Sequence, residues 1–221
     1  MLKQVRSALI AFATMAIAFG LTTGSAHAAK GQWSLGGNFG VGMYSNSELN
    51  DSLDASGLEK IKDGLEYGGT LRYGFSPTKA LELEGNLLNG KSTTNLGGGD
   101  IKIKTKALAL PLNLLFQVAE NDKYAFHFLI GAGPLIGTKI TAESGSISTE
   151  SAKKTSFMAQ GGFEGDWFVS KQVALTARVL GRYAKAKDID LDKTDPTAGN
   201  IDVDFSGAAF GVGLRVFFGG Q

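Results

Sequence analysis

The chain has 221 residues, with 22 basic and 21 acidic side chains, a formal net charge of +1 and no cysteine. A charge this close to zero gives no reason to expect nucleic acid or another polyanion as a partner. Without cysteine, no disulfide framework can stabilise the fold. Beyond residue 28, no apolar run approaches the length of a membrane-spanning helix.

The N-terminal segment has the parts of a secretory signal peptide. Two basic residues precede an apolar run over residues 8–21, and a small-residue cleavage motif, AHA, follows at 26–28. The run is shorter than the roughly 20 residues of a spanning helix, so an uncleaved anchor is the weaker interpretation. We predict that residues 1–28 are removed on export through the Sec pathway. Residues 29–221 then form one domain, with a net charge of 20 − 21 = −1.

The rest of the chain consists of segments in which apolar residues alternate with small or polar ones. This period of two is typical of β-strands with one apolar face. In the last segment, Phe210, Val212, Leu214, Val216 and Phe218 alternate with glycine, alanine and arginine. The pattern predicts eight strands, over residues 32–44, 65–75, 80–88, 101–118, 124–138, 156–168, 172–186 and 207–218.

The connections between these strands alternate between long and short. The tight turns lie at 76–78, 120–123 and 170–171, and the long polar connections at 45–64, 89–100, 139–155 and 187–200. We therefore predict an all-β, antiparallel, up-and-down transmembrane barrel with short periplasmic turns and long extracellular loops. A helical turn is expected at 56–64, within the first loop. Closure of the sheet would supply stability without disulfides, because it leaves no free edge.

A soluble barrel of the lipocalin type is the alternative, and the distribution of charge argues against it. In such a barrel the apolar face would point inward, around a ligand. The opposite face here carries many charges, which suit a lumen of paired ions. The predicted polar network of the lumen comprises Arg72, Glu82, Glu84, Glu164, Asp166, Arg178, Arg182 and Arg215.

The turn positions predict which of these charges are neighbours. A turn centred on Pro77 places Arg72 opposite Glu82, and the turn at 170–171 places Glu164 opposite or diagonal to Arg178. The inward residues of the fourth, fifth and eighth strands are mostly alanine, glycine and leucine. We expect one side of the lumen to be ionic and the other apolar.

Two irregularities are predicted. Pro111 lies within the fourth strand and removes a ladder donor, so a bulge or local fraying is expected there. Ile201, Val203 and Phe205 have the opposite parity to the apolar residues of the closing strand. If both sets face outward, a bulge near 206–207 must re-phase the strand.

These features resemble the bacterial outer-membrane β-barrel domain family, the group around the small OmpW-, OmpX- and opacity-type porin-like proteins. The resemblance covers the mature chain and is carried by FSPTKALELEGN at 75–86, by LPLNLLF to FLIGAG over 110–133, and by GDWFVSKQVALTARV at 165–179. It implies a bacterial outer-membrane location, contact with membrane lipid and lipopolysaccharide, and insertion by the barrel assembly machinery. The chain departs from the pattern in continuing past Phe218, where members commonly end on the aromatic residue.

Three motifs that could carry chemistry are weak in context. Residues 85–92, GNLLNGKS, match a phosphate-binding loop, but no helix follows to complete it. Asp188, Asp190 and Asp192 have calcium-loop spacing, but Lys193 replaces the required glycine. We expect this acidic segment to pair with the start of the closing strand above the membrane.

The third motif concerns a lipid-modifying barrel enzyme, which would need a histidine with a nucleophile or an acid at the membrane rim. His127 is the only histidine outside the predicted signal peptide, and it lies on an inward face with no serine beside it. A nucleophile–base pair is the minimum requirement for such catalysis. We predict no enzymatic activity, no cofactor and no metal, and keep a lipid-modifying enzyme as a minor alternative.

Five lysines continue the lipid-facing parity at the outer strand ends. These are Lys102, Lys104, Lys106, Lys185 and Lys187. Charges at this height would lie near the external headgroups, so we predict a basic belt for lipopolysaccharide. A plain rim of snorkelling lysines is the alternative.

The sequence as a whole predicts a small, non-enzymatic barrel with an envelope-structural or surface-interaction role. A narrow passive channel for small or hydrophobic solutes is the alternative, favoured by the apolar part of the lumen. An eight-stranded barrel is just wide enough for its side chains to fill the interior, which favours the closed form.

Overall fold

The computed structural model describes residues 31–95, 99–145, 147–191 and 199–219. The predicted signal peptide lies outside these residues. The described elements are β1 (Gln32–Met43), α1 (Ser47–Ala55), β2 (Asp63–Ser76), β3 (Lys79–Asn95), β4 (Asp100–Ala109), β5 (Leu112–Glu120), β6 (Tyr124–Ser144), β7 (Ile147–Glu150), β8 (Lys154–Phe168), β9 (Val173–Asp190), β10 (Asn200–Asp204) and β11 (Gly207–Gly219).

The strands close into an antiparallel ring of eight spans. β4 and β5 together form one span, as do β10 and β11, and β7 is a short arm paired with β6. The ring closes between β1 and β11, where the register runs from Gln32 opposite Gly219 to Gly42 opposite Ala209. The predicted eight-stranded up-and-down barrel, with its alternation of short and long connections, is confirmed.

The outer face of the ring is apolar, as the period of two predicted. Aromatic side chains gather toward the short-turn end, where the rings of Trp33 and Tyr73 lie 4.7 Å apart and those of Tyr124 and Phe126 lie 5.3 Å apart. Trp167 on β8 is 64% exposed at the same end. A girdle of this kind is typical of the membrane interface of an outer-membrane barrel.

Several strands extend beyond their predicted ends. β3 reaches Asn95, β6 reaches Ser144 and β9 reaches Asp190. The outer side of these extensions carries mostly lysine, threonine and asparagine, so they lack the apolar alternation that marks a strand within the bilayer. The backbone ladder continues through these segments whatever their side chains are. Because the prediction relied on apolar alternation, it assigned these polar segments to loops.

The predicted interruption at Pro111 is confirmed, because β4 ends and β5 begins on either side of the Leu110–Pro111 pair. The backbone groups at the break are still hydrogen-bonded. The Leu110 N–H donates to the Pro134 carbonyl at 3.0 Å, and the Glu84 N–H donates to the Pro111 carbonyl at 3.0 Å. The proline therefore divides the span without opening the wall.

The predicted bulge near 206–207 is wrong. Asp204 lies opposite Lys185 and Gly207 opposite Arg182, so the register on β9 is the same on both sides of this point. Ile201, Val203 and Phe205 are buried inside the barrel and do not face lipid. The register shift in this ladder occurs instead between Ile201 and Val203, beside Asp188, whose φ is 53°.

The helix lies in the predicted first loop, but earlier than the helical turn expected at 56–64. Leu49 and Leu53 are four residues apart, and both are buried on the inner face of α1. Asn50 fixes the following segment, because its side chain both accepts a hydrogen bond from the Ile61 N–H and donates to the Ile61 carbonyl, at 2.7 and 3.0 Å. The helix thereby covers the outer mouth of the barrel.

Within the described ranges, no helix combines the length and hydropathy needed to span a membrane.

Candidate functional site

The interior of the barrel contains a cluster of ionised side chains supplied by five strands. We call it the ionic cluster, and it comprises Arg72 on β2, Glu82 and Glu84 on β3, Glu164 and Asp166 on β8, Arg178 on β9 and Arg215 on β11. All seven residues are buried, with at most 7% of their surface exposed. Each lies at an inward position of its strand, and hydrogen bonds and ion pairs link the seven side chains across the lumen.

Arg215 bridges three carboxylates. Its Nη1 donates to Glu164 Oε1 at 2.5 Å and to both Asp166 oxygens at 2.9 Å. Its Nη2 donates to Glu82 Oε2 at 3.0 Å, on the far side of the lumen. A guanidinium presents its donors in a rigid planar fork, which suits it to such bridging.

Arg72 and Arg178 surround the same carboxylates. The register places Arg72 opposite Glu82 and Glu164 opposite Arg178, as the turn positions predicted. Arg72 Nη2 donates to Glu82 Oε2 at 2.6 Å, and it also contacts Glu164. Arg178 Nη2 donates to Glu164 Oε2 at 2.5 Å, and its Nη1 lies 3.0 Å from Glu84 Oε1.

Arg182, the remaining predicted lumen residue, forms a separate pair nearer the outer end. Its two terminal nitrogens donate to the two Glu66 oxygens at 2.7 and 3.0 Å. The Tyr44 hydroxyl donates to Glu66 Oε1 at 3.3 Å. Glu66 has inward parity on β2, but Arg182 lies across the lumen on β9, and no turn connects these two strands directly.

Two amides that were not predicted as site residues complete the polar interior. Asn113 Nδ2 and Gln160 Nε2 donate to the same oxygen of Glu84, at 2.8 and 2.9 Å, and Gln160 also donates to Asn113 Oδ1 at 3.0 Å. Both residues lie at inward parity, which could have identified them from the sequence. They were missed because the predicted polar network included only charged side chains.

Among the residues that the structure describes, the interior contains one more carboxylate than arginine. Four arginines, at 72, 178, 182 and 215, face five carboxylates, at 66, 82, 84, 164 and 166, so the formal sum is 4 − 5 = −1. His127 lies beside this group, with Nδ1 3.8 Å from Asp166 Oδ2, which is beyond hydrogen-bonding distance.

His127, Glu164 and Asp166 each offer one atom within a common 4.8 Å, a spacing that a metal ion could use. The carboxylates already accept hydrogen bonds from Arg215 and Arg72. A cation bound there would lie against two guanidinium groups, so the electrostatics do not favour a metal centre.

The outer half of the lumen is filled by apolar side chains, which we call the outer plug. It comprises Tyr44, Leu49, Leu53, Ile61, Leu88, Ile103, Ala107, Ala109, Leu135, Ile140, Met158, Ala184, Ala186, Ile189, Ile201, Val203 and Phe205. Ionic and apolar residues are thus separated partly along the barrel axis, which strand parity does not predict because it gives the direction of a side chain and not its height. A second buried apolar group lies outside the plug and comprises Ala80, Leu115, Leu129, Leu180 and Ala209. Leu115 and Leu129 lie on the side that was expected to be apolar, so that expectation describes part of the arrangement.

Packing leaves little free volume at either level. A cavity of about 10 Å³ lies beside Glu66, Asn86 and Arg178, and one of about 20 Å³ lies beside His127 and Asp166 at the short-turn end. Each has room for about one water molecule. Charges, amides and apolar side chains thus occupy the described lumen at both levels.

The five predicted belt lysines all lie on the outer face, but in different surroundings. Lys106 and Lys187 are exposed, whereas Lys104 Nζ contacts Glu143 Oε1 at 2.5 Å and Lys185 Nζ contacts Asp202 Oδ2 at 2.8 Å. Partial burial opposes ionisation of Asp202, but the hydrogen bonds from Lys185 and from the Asp188 N–H hold the pKa of this carboxyl below its ordinary value.

The motifs judged weak lie in regular structure. Residues 85–92 are strand throughout, within β3, so their N–H groups belong to the sheet and not to a phosphate loop. Asp190 pairs with Asn200 in the extension of β9 and β10, as expected. Asp192 and Lys193 lie outside the described residues.

Comparison with known proteins gives a family and a fold. Residues 8–219 match the family described as outer membrane protein beta-barrel domain. Among curated proteins, no sequence matches the chain.

Three similar solved structures are outer-membrane barrels and surface proteins. OprG of Pseudomonas aeruginosa is 15% identical with a TM-score of 0.56, and the match covers 88% of this chain and 99% of that one. Neisserial surface protein A is 14% identical with a TM-score of 0.49 over 86% and 99% of the two chains. Ail of Yersinia pestis is 16% identical with a TM-score of 0.45 over 86% and 99%. At these identities, the likeness to OprG concerns the fold alone.

Proposed function

Since the chain belongs to the outer membrane protein beta-barrel domain family, which resides in the bacterial outer membrane, we propose that it is a closed, non-enzymatic barrel with a structural role in the envelope. The observation that carries the proposal is the burial of Arg215, which is 1% exposed while it bridges Glu82, Glu164 and Asp166 across the lumen. Solute would have to break several charge-assisted hydrogen bonds at once to pass this level.

The outer plug supports the same conclusion at the other end. Leu88, Leu135 and Met158 have no exposed surface, and α1 adds Leu49 and Leu53 from above. A channel for small or hydrophobic solutes would have to displace this apolar packing as well as the ionic cluster. A solute would therefore have to pass both an ionic and an apolar barrier, which disfavours the channel alternative.

The first outer loop is tied to the barrel, which limits a surface-interaction role for it. The Asn46 N–H donates to the Asp204 carbonyl at 3.1 Å, and the Asp204 N–H donates to Asn46 Oδ1 at 2.9 Å. These bonds fix the start of α1 against β10. Loop 45–64 thus covers the outer plug. A surface-interaction role would use the other outer loops.

The surroundings of His127 support a non-enzymatic barrel. Its Nδ1 forms no hydrogen bond with any described residue, and Asp166, 3.8 Å away, is engaged by Arg215. A histidine that activates a nucleophile needs that nucleophile within hydrogen-bonding reach. We further propose that residues 1–28 direct export through the Sec pathway, that the barrel assembly machinery inserts the chain, and that lipid and lipopolysaccharide surround it.

A solute-flux assay tests the proposal. Liposomes containing the folded protein are placed in an isotonic solution of a small sugar, and swelling is followed by light scattering. We expect the rate of protein-free liposomes, because the lumen is filled. Swelling that increases with the number of inserted barrels would establish the channel alternative.

A further inference from the structure

The outward side chains of β3, β4 and β6 form cross-strand rows at the outer edge of the apolar band. The last apolar row consists of Leu87, Leu108 and Ile136, which lie opposite one another. The rows above it are Asn89, Lys106 and Lys139, then Lys91, Lys104 and Thr141, then Thr93, Lys102 and Glu143. We call Lys91, Lys102, Lys104, Lys106 and Lys139 the lysine patch.

A bulge brings Lys139 into this patch. Leu108 and Lys106 on β4, with one residue between them, pair with Ile136 and Lys139 on β6, with two residues between them. The bulge lies at residues 137–138. Gly137 has a φ of 64°, a conformation that glycine adopts without strain. Beyond it, Thr138 and Ile140 point inward and Lys139 points outward.

The patch places like charges directly opposite each other. Lys91 faces Lys104 across β3 and β4, and Lys106 faces Lys139 across β4 and β6. Like charges in such cross-strand positions destabilise a sheet. An anionic ligand shared between the pairs would remove this repulsion.

The described carboxylates neutralise only part of the patch. Glu143 contacts Lys104 at 2.5 Å, and Glu150 contacts Lys139 at 2.7 Å. The hydrogen bond from Lys104 holds the pKa of Glu143 below its ordinary value, and the charges of Lys102 and Lys91 add to the effect. The five lysines with Glu143 on β6 and Glu150 on β7 give a formal charge of 5 − 2 = +3, and Asp100 lies one row further out, opposite Asn95.

The height of the patch fits a lipid headgroup. A strand rises about 3.3 Å per residue, so Lys106 lies roughly 7 Å along β4 from Leu108, the last apolar residue. Lysine ammonium groups on flexible stems at this level reach the headgroup region. An acyl chain can pack on Leu87, Leu108 and Ile136 while the phosphates of the same molecule meet the rows above.

We propose that the lysine patch is a specific seat for a phosphorylated glycolipid of the outer leaflet, the lipid A part of lipopolysaccharide. The net positive charge of the patch, spread over three successive rows, suits a ligand with two phosphate groups. Thr93 and Thr141 place hydroxyl groups beside the lysines for the sugar oxygens. The inference rests on the outer-membrane location within the proposed function, but not on closure of the lumen.

The seat replaces the basic belt predicted from the sequence. Lys185 is paired with Asp202, and β8 separates β9 from β6, so Lys185 and Lys187 are not part of the patch. Lys91 and Lys139 were absent from that prediction. The parity of β6 changes only at the Gly137 bulge, which the sequence did not reveal.

Lipid retention tests the seat. The folded protein is placed in phosphatidylcholine nanodiscs with diphosphoryl lipid A, dephosphorylated lipid A or phosphatidylglycerol, and the apparent affinity for each lipid is obtained by native mass spectrometry. We expect preference for diphosphoryl lipid A in the wild type. Changing Lys91, Lys104, Lys106 and Lys139 together to serine should weaken its binding roughly tenfold or more, since each lysine near an anionic surface contributes measurably.

Two further variants keep the test decisive. The same four positions changed to arginine should retain binding, because the charge is kept. Changing four exposed lysines elsewhere, Lys62, Lys79, Lys123 and Lys171, to serine removes the same charge and should leave binding unchanged. Undiminished binding by the folded patch-to-serine variant would overturn the proposal, as would equal wild-type affinity for phosphatidylglycerol. The swelling assay measures passage of solute through the lumen and does not depend on lipid A. The closed-barrel proposal and the lipid A proposal can therefore be refuted independently.

Discussion

Arg215 on the closing strand and Glu82 on the third strand are 133 residues apart, yet a hydrogen bond of 3.0 Å joins them across the lumen. The same guanidinium binds Glu164 and Asp166 on β8. The closing strand is thus held by its ladders with β1 and β9 and also by contacts through the interior. Removal of this one side chain should therefore affect stability more than removal of any exposed charge.

Arg215→Met should lower the free energy of unfolding by about 3–5 kcal/mol, because it leaves buried carboxylates with one cation fewer. Equilibrium unfolding by urea in lipid vesicles measures the change. Lys171→Met, at an exposed turn position, is the control and should stay within about 0.5 kcal/mol of the wild type. A cost below about 1 kcal/mol for Arg215→Met would contradict the bridging role, since it falls short of a broken buried pair.

The Glu66–Arg182 pair should behave as a unit. Arg182→Met alone leaves Glu66 buried without its cation and should cost about 3–5 kcal/mol, whereas the double variant with Glu66→Met should cost much less. Unfolding of both single variants and the double variant gives the coupling energy. Additive costs would show that the two side chains do not depend on each other.

The seam between the first and last strands depends on a glycine. A Cβ added at Gly40 would lie 2.1 Å from the Phe210 carbonyl oxygen, which belongs to the backbone and cannot rotate away. We expect Gly40→Ala to destabilise the barrel by about 1–3 kcal/mol. In Gly181→Ala the nearest such atom is 3.8 Å away, so this control should unfold like the wild type. Equal unfolding of the two variants would refute the steric account.

The cover formed by α1 should be separable from the barrel. Asn50→Ala removes two hydrogen bonds to the Ile61 backbone, each buried, and should speed amide hydrogen exchange at Ile61. Exchange within β1 and β11 should be unchanged, because their ladder does not include this residue. Asp51→Ala, at an exposed position of α1, is the control. Unaltered exchange at Ile61 would mean that other contacts hold the loop.

Local patterns in the sequence predicted much of the fold. The alternation of apolar with small or polar residues predicted the eight spans. The tight turn at Pro77 was sufficient to pair Arg72 with Glu82, because the register of a hairpin follows from its turn. The same reasoning could not pair Arg215 with Glu82 or Arg182 with Glu66. Those contacts depend on ring closure and on side chains that meet across the lumen.

One error came from an irregularity that leaves no pattern in the sequence. The bulge at Gly137 reverses the parity of the outer part of β6, so Lys139 was not recognised as outward. A second came from Ile201, Val203 and Phe205, for which a bulge was predicted on the condition that they face lipid, whereas they fill the outer plug. Apolar character cannot distinguish a lipid-facing residue from one in an apolar lumen, since both environments exclude water.

Single-channel recording tests the central claim, that the ionic cluster and the outer plug close the lumen. The wild-type protein is inserted into planar bilayers, and insertion is verified by a folded-state gel shift of the same preparation. The closed lumen predicts no conductance steps at any applied voltage that leaves the bilayer intact. Steady, uniform single-channel steps from the wild-type protein would contradict the account.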